Sequence, residues 1–136
     1  MKKLSIFKYS KFKFGRQHVS QFILFEHKDL FSIIFFYFHK SKYSQDRFHT
    51  HAFNALSIKF FGSYTEHVLI QKKPTENIIK HKRDSIFKYF AKNSYHKIGQ
   101  STGCMTMLLS GPWEKTWEEY LENGETITYN QNRIIV

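Results

Sequence analysis

Two histidines two residues apart, His49 and His51, open a stretch that runs from Phe48 to His67. On a β-strand, residues i and i+2 face the same way, about 7 Å apart. The spacing therefore sends two imidazoles into one space, and imidazole is the commonest protein ligand for transition metals. A third histidine, His96, lies on what reads as an opposing strand and would close a three-nitrogen set. Such a set leaves coordination positions open for water or substrate. Zinc, iron, manganese and nickel all suit three neutral imidazoles. Glu66 is the carboxylate candidate for the same site, expected at the outer end of its hairpin.

The elements that must position these residues read as strands. Leu30 to His39 is continuously apolar, which suits a central strand covered on both faces. Ala55 to Phe61 continues from the histidines, Gly62-Ser63 breaks it, and Tyr64 to Ile70 alternates again, so a hairpin is expected. Residues 71–83 are polar and basic and read as a surface loop. Further strands are expected at Phe22–Phe25, Ser85–Phe90, Tyr95–Ile98 and Cys104–Ser110. Trp113–Leu121 reads as a helical turn or an irregular strand, with Trp113 and Trp117 covering one end of the fold. Thr126–Tyr129 and Ile134–Val136 read as a last hairpin. Phe53, Phe60, Tyr64 and Tyr89 are expected to line or pack the interior. His18, His27, His39, His67 and His81 read as surface or hydrogen-bonded residues.

Composition supports the same class. The 136 residues include 15 Phe and 8 Tyr, which favour strands over helices. Short strands between turn signals, with no long helix, predict an all-β sandwich or barrel in one domain, residues 1–136. Residues 1–16 form a basic N-terminal strand or arm, read as an edge strand guarded by lysines. The formal charge is +10, with lysines densest in 1–13 and 72–88. A basic strand with interleaved aromatics can bind nucleic acid. No recognised nucleic-acid motif accompanies it, so a solvated Lys-rich surface is the favoured reading. Cys104 is the lone cysteine, which fits a reduced, cytoplasmic compartment and a buried apolar role. No apolar run is long enough to span a bilayer as a helix, and no membrane partner is expected.

His49-x-His51, three residues, Ala55, six residues and Gly62 resemble the first motif of the cupin superfamily, in which a Glu stands where Ala55 does here. Ala91-x-Asn93-x-x-His96 is similar to the second cupin motif. His49-Thr50-His51-Ala52-Phe53, the Ser57 to Glu66 segment and Gly111-Pro112 to Trp117 also resemble small cupin-like proteins of phages and bacteria. The resemblance implies a double-stranded β-helix, the cupin jelly-roll barrel, with ligands lining its interior. It implies a metal on His49, His51 and His96, but without the motif-one carboxylate, because neither Ala55 nor Leu56 can bind one.

The expectation is a small cupin-fold protein that holds a divalent transition metal and acts on or binds a small, anionic molecule, by metal-dependent oxygenase or hydrolase chemistry. A second reading is a metal-free binder, or an epimerase- or isomerase-like protein in which a histidine is the general base. A third is a phage accessory protein that uses the barrel as a scaffold, in the host cytoplasm. The resemblance also implies a homodimer, which a Phe-rich outer sheet would suit.

Overall fold

The computed structural model describes residues 4–14, 16–43, 45, 47–71, 77–121, 123–130 and 135. Among them there is no helix. The elements are twelve strands: β1 (Leu4–Phe14), β2 (Gln17–His27), β3 (Phe31–Phe38), β4 (Phe48–His49), β5 (Ala55–Phe61), β6 (Tyr64–Gln71), β7 (Asn77–Lys82), β8 (Phe87–Phe90), β9 (Tyr95–Ser101), β10 (Cys104–Ser110), β11 (Thr116–Tyr120) and β12 (Thr126–Asn130). They form two six-stranded sheets, ordered β1-β2-β3-β10-β5-β8 and β12-β11-β4-β9-β6-β7. Every pairing is antiparallel.

The two sheets close on each other through side chains that alternate along each strand. On β10, Cys104, Thr106, Leu108 and Ser110 are buried while Met105, Met107 and Leu109 are half-buried. Inward residues of both sheets meet in two clusters. One holds Ile23, Ile34, Ala52, Phe53, Ala55 and Leu108, with Trp113 and Trp117 packed against it. The other holds Tyr64, Ile98 and Cys104. This is the jelly-roll barrel expected from the sequence.

The register of the first sheet also orders its outward face. One row runs Tyr9, Phe22, Phe35, Met107, Ile58, Phe87 across all six strands. The next runs Ile6, Phe25, Ile33, Leu109, Leu56, Tyr89. Every position in both rows is apolar or aromatic. β3 is central, as expected, but its apolar continuity has two sources: one face fills the barrel and the other looks outward.

Several sequence expectations are corrected. β5 and β6 are not a hairpin; β5 pairs with β10 and β8, and β6 with β7 and β9, so Gly62-Ser63 carries the chain from one sheet to the other. Gly62 has φ +77°, and a Cβ there would lie 2.0 Å from the Gly103 carbonyl oxygen, so only glycine lets the two turns approach. The basic stretch read as a loop contains β7, an edge strand on β6; its residues 72–76 lie outside the described residues. Thr116–Tyr120 is a regular strand that pairs with β12 and β4. β12 therefore finds its main partner in β11, with a single bridge from Tyr129 to Ile135; Ile134 and Val136 lie outside the described residues. Phe22–Phe25 is the middle of an eleven-residue strand that pairs with β1. Phe53 and Tyr64 are interior, but Phe60 and Tyr89 are exposed by 52% and 63%, so these two face outward.

The link from β7 to β8 is fixed by a buried arginine. Arg83 is 1% exposed. Its guanidinium donates to the Ser57 hydroxyl (2.7 Å), the Tyr64 hydroxyl (3.0 Å) and the backbone oxygens of Ser57 (2.9 Å), Ile86 (2.8 Å) and Ser85 (3.2 Å). A planar fork with five donors can satisfy that many acceptors at once, which lysine could not.

Candidate metal centre

β4 is two residues long, yet the chain stays extended beyond it. Thr50 N donates to Glu118 O (2.8 Å), and Glu118 N donates back to the buried Thr50 hydroxyl (2.9 Å). This side-chain bond continues the β4–β11 ladder past its last backbone pair. His49 and His51 therefore keep strand-like alternation and share a space, with ring centroids 5.2 Å apart. His96 comes from β9, where its Cα is the register partner of His49. Its ring lies 4.7 Å from His49 and 4.8 Å from His51. One ligand nitrogen from each histidine falls within 4.8 Å of the others. His96 Nε2 and His51 Nε2 are 2.7 Å apart and share a hydrogen bond.

The environment keeps two of these rings unprotonated. Burial is the main cause; it lowers the pKa of His49 to about 3, aided by the neighbouring His96 and opposed by a hydrogen bond to the Arg47 backbone and by Glu66. Burial, then His96 and His49, lower that of His51 well below its ordinary value. Neutral imidazole is the form that ligates metal. Aromatic walls complete the enclosure: Phe53 stacks on His51 (5.2 Å), and Phe90 lies 5.1 Å from His96 and 6.0 Å from His51. Phe90 is the strand partner of Ala55, so an aromatic ring stands beside the position where the resemblance would place a carboxylate.

Glu66 does not sit at an outer end. It is buried on β6, one register step from the Val68–His96 pair, and faces the back of His96. Its Oε1 is 3.7 Å from His96 Nδ1, and its Oε2 is 2.5 Å from Lys88 Nζ. Burial alone would raise the Glu66 pKa, but the His96 imidazole and the Lys88 ammonium outweigh it and hold the carboxyl at about 2. The carboxylate faces His96 from behind by charge and not by a hydrogen bond, since His96 Nδ1 has no hydrogen-bond partner among the described residues. His81, read as a surface residue, joins this chain through its Nε2, 2.8 Å from Lys88 Nζ.

A cavity of about 190 Å³ opens beside the histidines, lined among others by His51, His96, Glu66, Lys88, Phe90 and Ser94. Lys88 and Phe90 were not identified from sequence as site residues. In the alternation of β8, the exposed residues are Phe87 and Tyr89, while Lys88 and Phe90 point inward. Apolar parity alone would have chosen the opposite pair.

The donor set fits a divalent ion. Nitrogens around a tetrahedral ion with ~2.1 Å bonds lie roughly 3.4 Å apart, between the 2.7 Å and 4.8 Å separations found here. A small spreading of His51 from His96 would admit it. Three neutral ligands would leave the ion its full double charge.

By sequence, the chain matches no family model and no curated relative. By structure it is similar to cupin barrels. A cupin 2 conserved barrel domain protein from Rhodopseudomonas palustris aligns with TM-score 0.57 and 11% identity over 86% of this chain and 79% of that one. The DMSP lyase DddQ from Ruegeria pomeroyi aligns with TM-score 0.57 and 10% identity over 87% and 62%. The capsular polysaccharide assembling protein CapF from Staphylococcus aureus aligns with TM-score 0.55 and 13% identity over 88% and 31%. This chain spans less than a third of the CapF chain. The likeness establishes the fold as a cupin barrel. No helix of the described residues is long and apolar enough to cross a membrane.

Proposed function

We propose that the barrel holds a divalent transition metal on His49, His51 and His96 and presents it to a small anionic molecule in the adjoining cavity. The observation that carries this reading is the convergence of three buried-site imidazole nitrogens within 4.8 Å, next to a cavity large enough for a small ligand. A bound ion would supply Lewis acidity, polarising a substrate oxygen or activating water, as metal-dependent oxygenases and hydrolases require. The protein's own contribution is to hold the three rings, to set the Glu66 charge behind His96, and to shield the site with Phe53 and Phe90. An ion on neutral ligands attracts anions, and the Glu66 carboxylate beside His96 is already paired with Lys88.

A metal-free reading has one specific support, the direct His51–His96 hydrogen bond, which would let one imidazole act as a base while the other shares its proton. Metal content by inductively coupled plasma mass spectrometry separates the two. Stoichiometric zinc, iron, manganese or nickel in the wild type, lost in His49→Ala/His51→Ala with an unchanged circular dichroism spectrum, is the expected result. No metal in either protein, and no binding when zinc or ferrous ion is titrated, would overturn the proposal in favour of the metal-free pocket.

A further inference from the structure

We infer that Lys88 is the anion seat of the cavity beside the histidines, and that the ligand it reads is a short-chain carboxylic acid. The inference rests on the proposed metal site and adds to it a second positive group, which holds one end of the ligand. Among the described residues that line the cavity, Lys88 is the one lysine or arginine and Glu66 the one acid. An ammonium carries three N–H donors and no acceptor. Lys88 Nζ donates to Glu66 Oε2 at 2.5 Å and to His81 Nε2 at 2.8 Å. Its third donor meets no acceptor among the described residues, and the side chain is 21% exposed, so a ligand can reach it.

Position, charge and size narrow the ligand. Glu66 bridges the two halves of the site: its other oxygen faces His96 Nδ1 at 3.7 Å, so one carboxyl group separates the ammonium from a proposed metal ligand. Phe90 flanks both, with its ring 5.5 Å from Lys88 Nζ and 5.1 Å from the His96 ring. Glu66 balances Lys88 and leaves no negative charge over for a divalent ion on three neutral imidazoles. A charge shut away from water needs a partner, and an anion between ion and ammonium supplies it. A carboxylate suits the place because it accepts through two oxygens. At ~30 Å³ per water, a cavity of about 190 Å³ has room for about six waters, or for an acid of roughly three to five carbons. A nucleotide or a hexose is too large to be enclosed. Val68, Phe90 and Ala91 give the wall an apolar stretch for the hydrocarbon body, and the exposed Ser94 stands at the mouth.

Isothermal titration calorimetry with butanoate tests this, on the protein as purified and at saturating zinc. The variants are Glu66→Gln and Glu66→Gln/Lys88→Met, which differ only in the ammonium and leave no bare carboxylate in the cavity. Circular dichroism checks that each is folded. The wild type should bind butanoate, and should bind the neutral butanamide about tenfold more weakly or less, as expected for a lost hydrogen bond to a charged group. That comparison needs no variant. Removing Lys88 from the Glu66→Gln protein should weaken butanoate by about tenfold or more as well. Butanoate bound equally with and without Lys88 would overturn the inference and leave the zinc site standing, because the ion alone would then hold the anion. No butanoate bound by the wild type, or butanoate and butanamide bound alike, would overturn it too. Lys88-dependent butanoate binding to a protein that takes up no zinc would uphold the anion seat and sink the metal reading instead.

Discussion

The two faces of the first sheet invert the usual arrangement. Its inward face carries Glu26, Ser32, Ser57, Lys88, Thr106 and Ser110 among its apolar residues, all buried except the partly buried Lys88. Its outward face offers two rows with no charged residue. An interior that surrounds a chemical site must tolerate polar groups, and each needs a partner there. Lys88 is paired with Glu66 and Ser57 with Arg83, whereas the Ser32 and Ser110 hydroxyls find no hydrogen-bond partner among the described residues. The outward face faces no such demand and is left with more apolar surface than water favours. The second sheet leaves apolar side chains open as well, Ile70, Ile78 and Ile79 among them, but they sit on or beside its edge strand β7 and not in rows across the whole sheet.

The largest expected effect breaks the inner half of that comparison. Arg83→Met should cost about 3–5 kcal/mol in urea-induced unfolding, because the acceptors on Ser57, Ser85 and Ile86 lose their donor inside the protein. A loss below 1 kcal/mol would mean that water replaces the guanidinium freely. Next comes Glu66→Gln, which keeps the shape but removes the charge behind His96. Under the proposed function it should lower metal affinity about 10–100-fold in competition with a chelator. An unchanged affinity would detach Glu66 from the site.

The third expectation concerns acid. His49 has a folded pKa of about 3 against an ordinary 6.5, so the unfolded chain binds that proton more readily. Stability of metal-stripped protein should therefore be complete above about 6.5 and fall as the pH drops toward 3, by on the order of 1 kcal/mol per histidine between pH 7 and 5. His51 contributes in the same direction. Glu66 adds its own loss only below about 4.5, as the pH falls toward 2. Stability that stays flat from pH 7 to 5 would contradict the burial of the histidines. The smallest effect belongs to the outer face. Phe87→Ser should change the unfolding free energy of the dilute chain by less than about 0.5 kcal/mol, while solubility at high concentration rises.

Much of the fold was legible because β3 is rich in the Ile, Phe and Tyr that favour strands, and because β10 is a short apolar run closed by Gly111-Pro112. The meeting of His49, His51 and His96 was legible from strand spacing and one turn-rich interval. Pairing was not. Tyr64 to Ile70 alternates as a hairpin partner of β5 would, but a Gly-Ser break looks the same whether the chain turns back or crosses to another sheet. Polar β7 was hidden because an edge strand can be as basic as a loop. Glu66 was misplaced for the same reason as the hairpin, and Lys88 was missed because β8 turns two of its three aromatic residues, Phe87 and Tyr89, outward.

From β3 to β11 the chain changes sheet at almost every step, and only β1–β2–β3, β6–β7 and β11–β12 pair with their sequence neighbours. His49 and His96 can meet only after several long loops have closed, so the site should assemble late in a slow folding reaction. A ligand that recognises only a late-formed site acts on one kinetic limb: zinc should slow unfolding while leaving the refolding rate nearly unchanged in stopped-flow measurements. Equal acceleration of refolding would instead place the histidines together before the barrel closes. If the first outcome holds, metal would act as a latch on the finished barrel and not as a nucleus for making it.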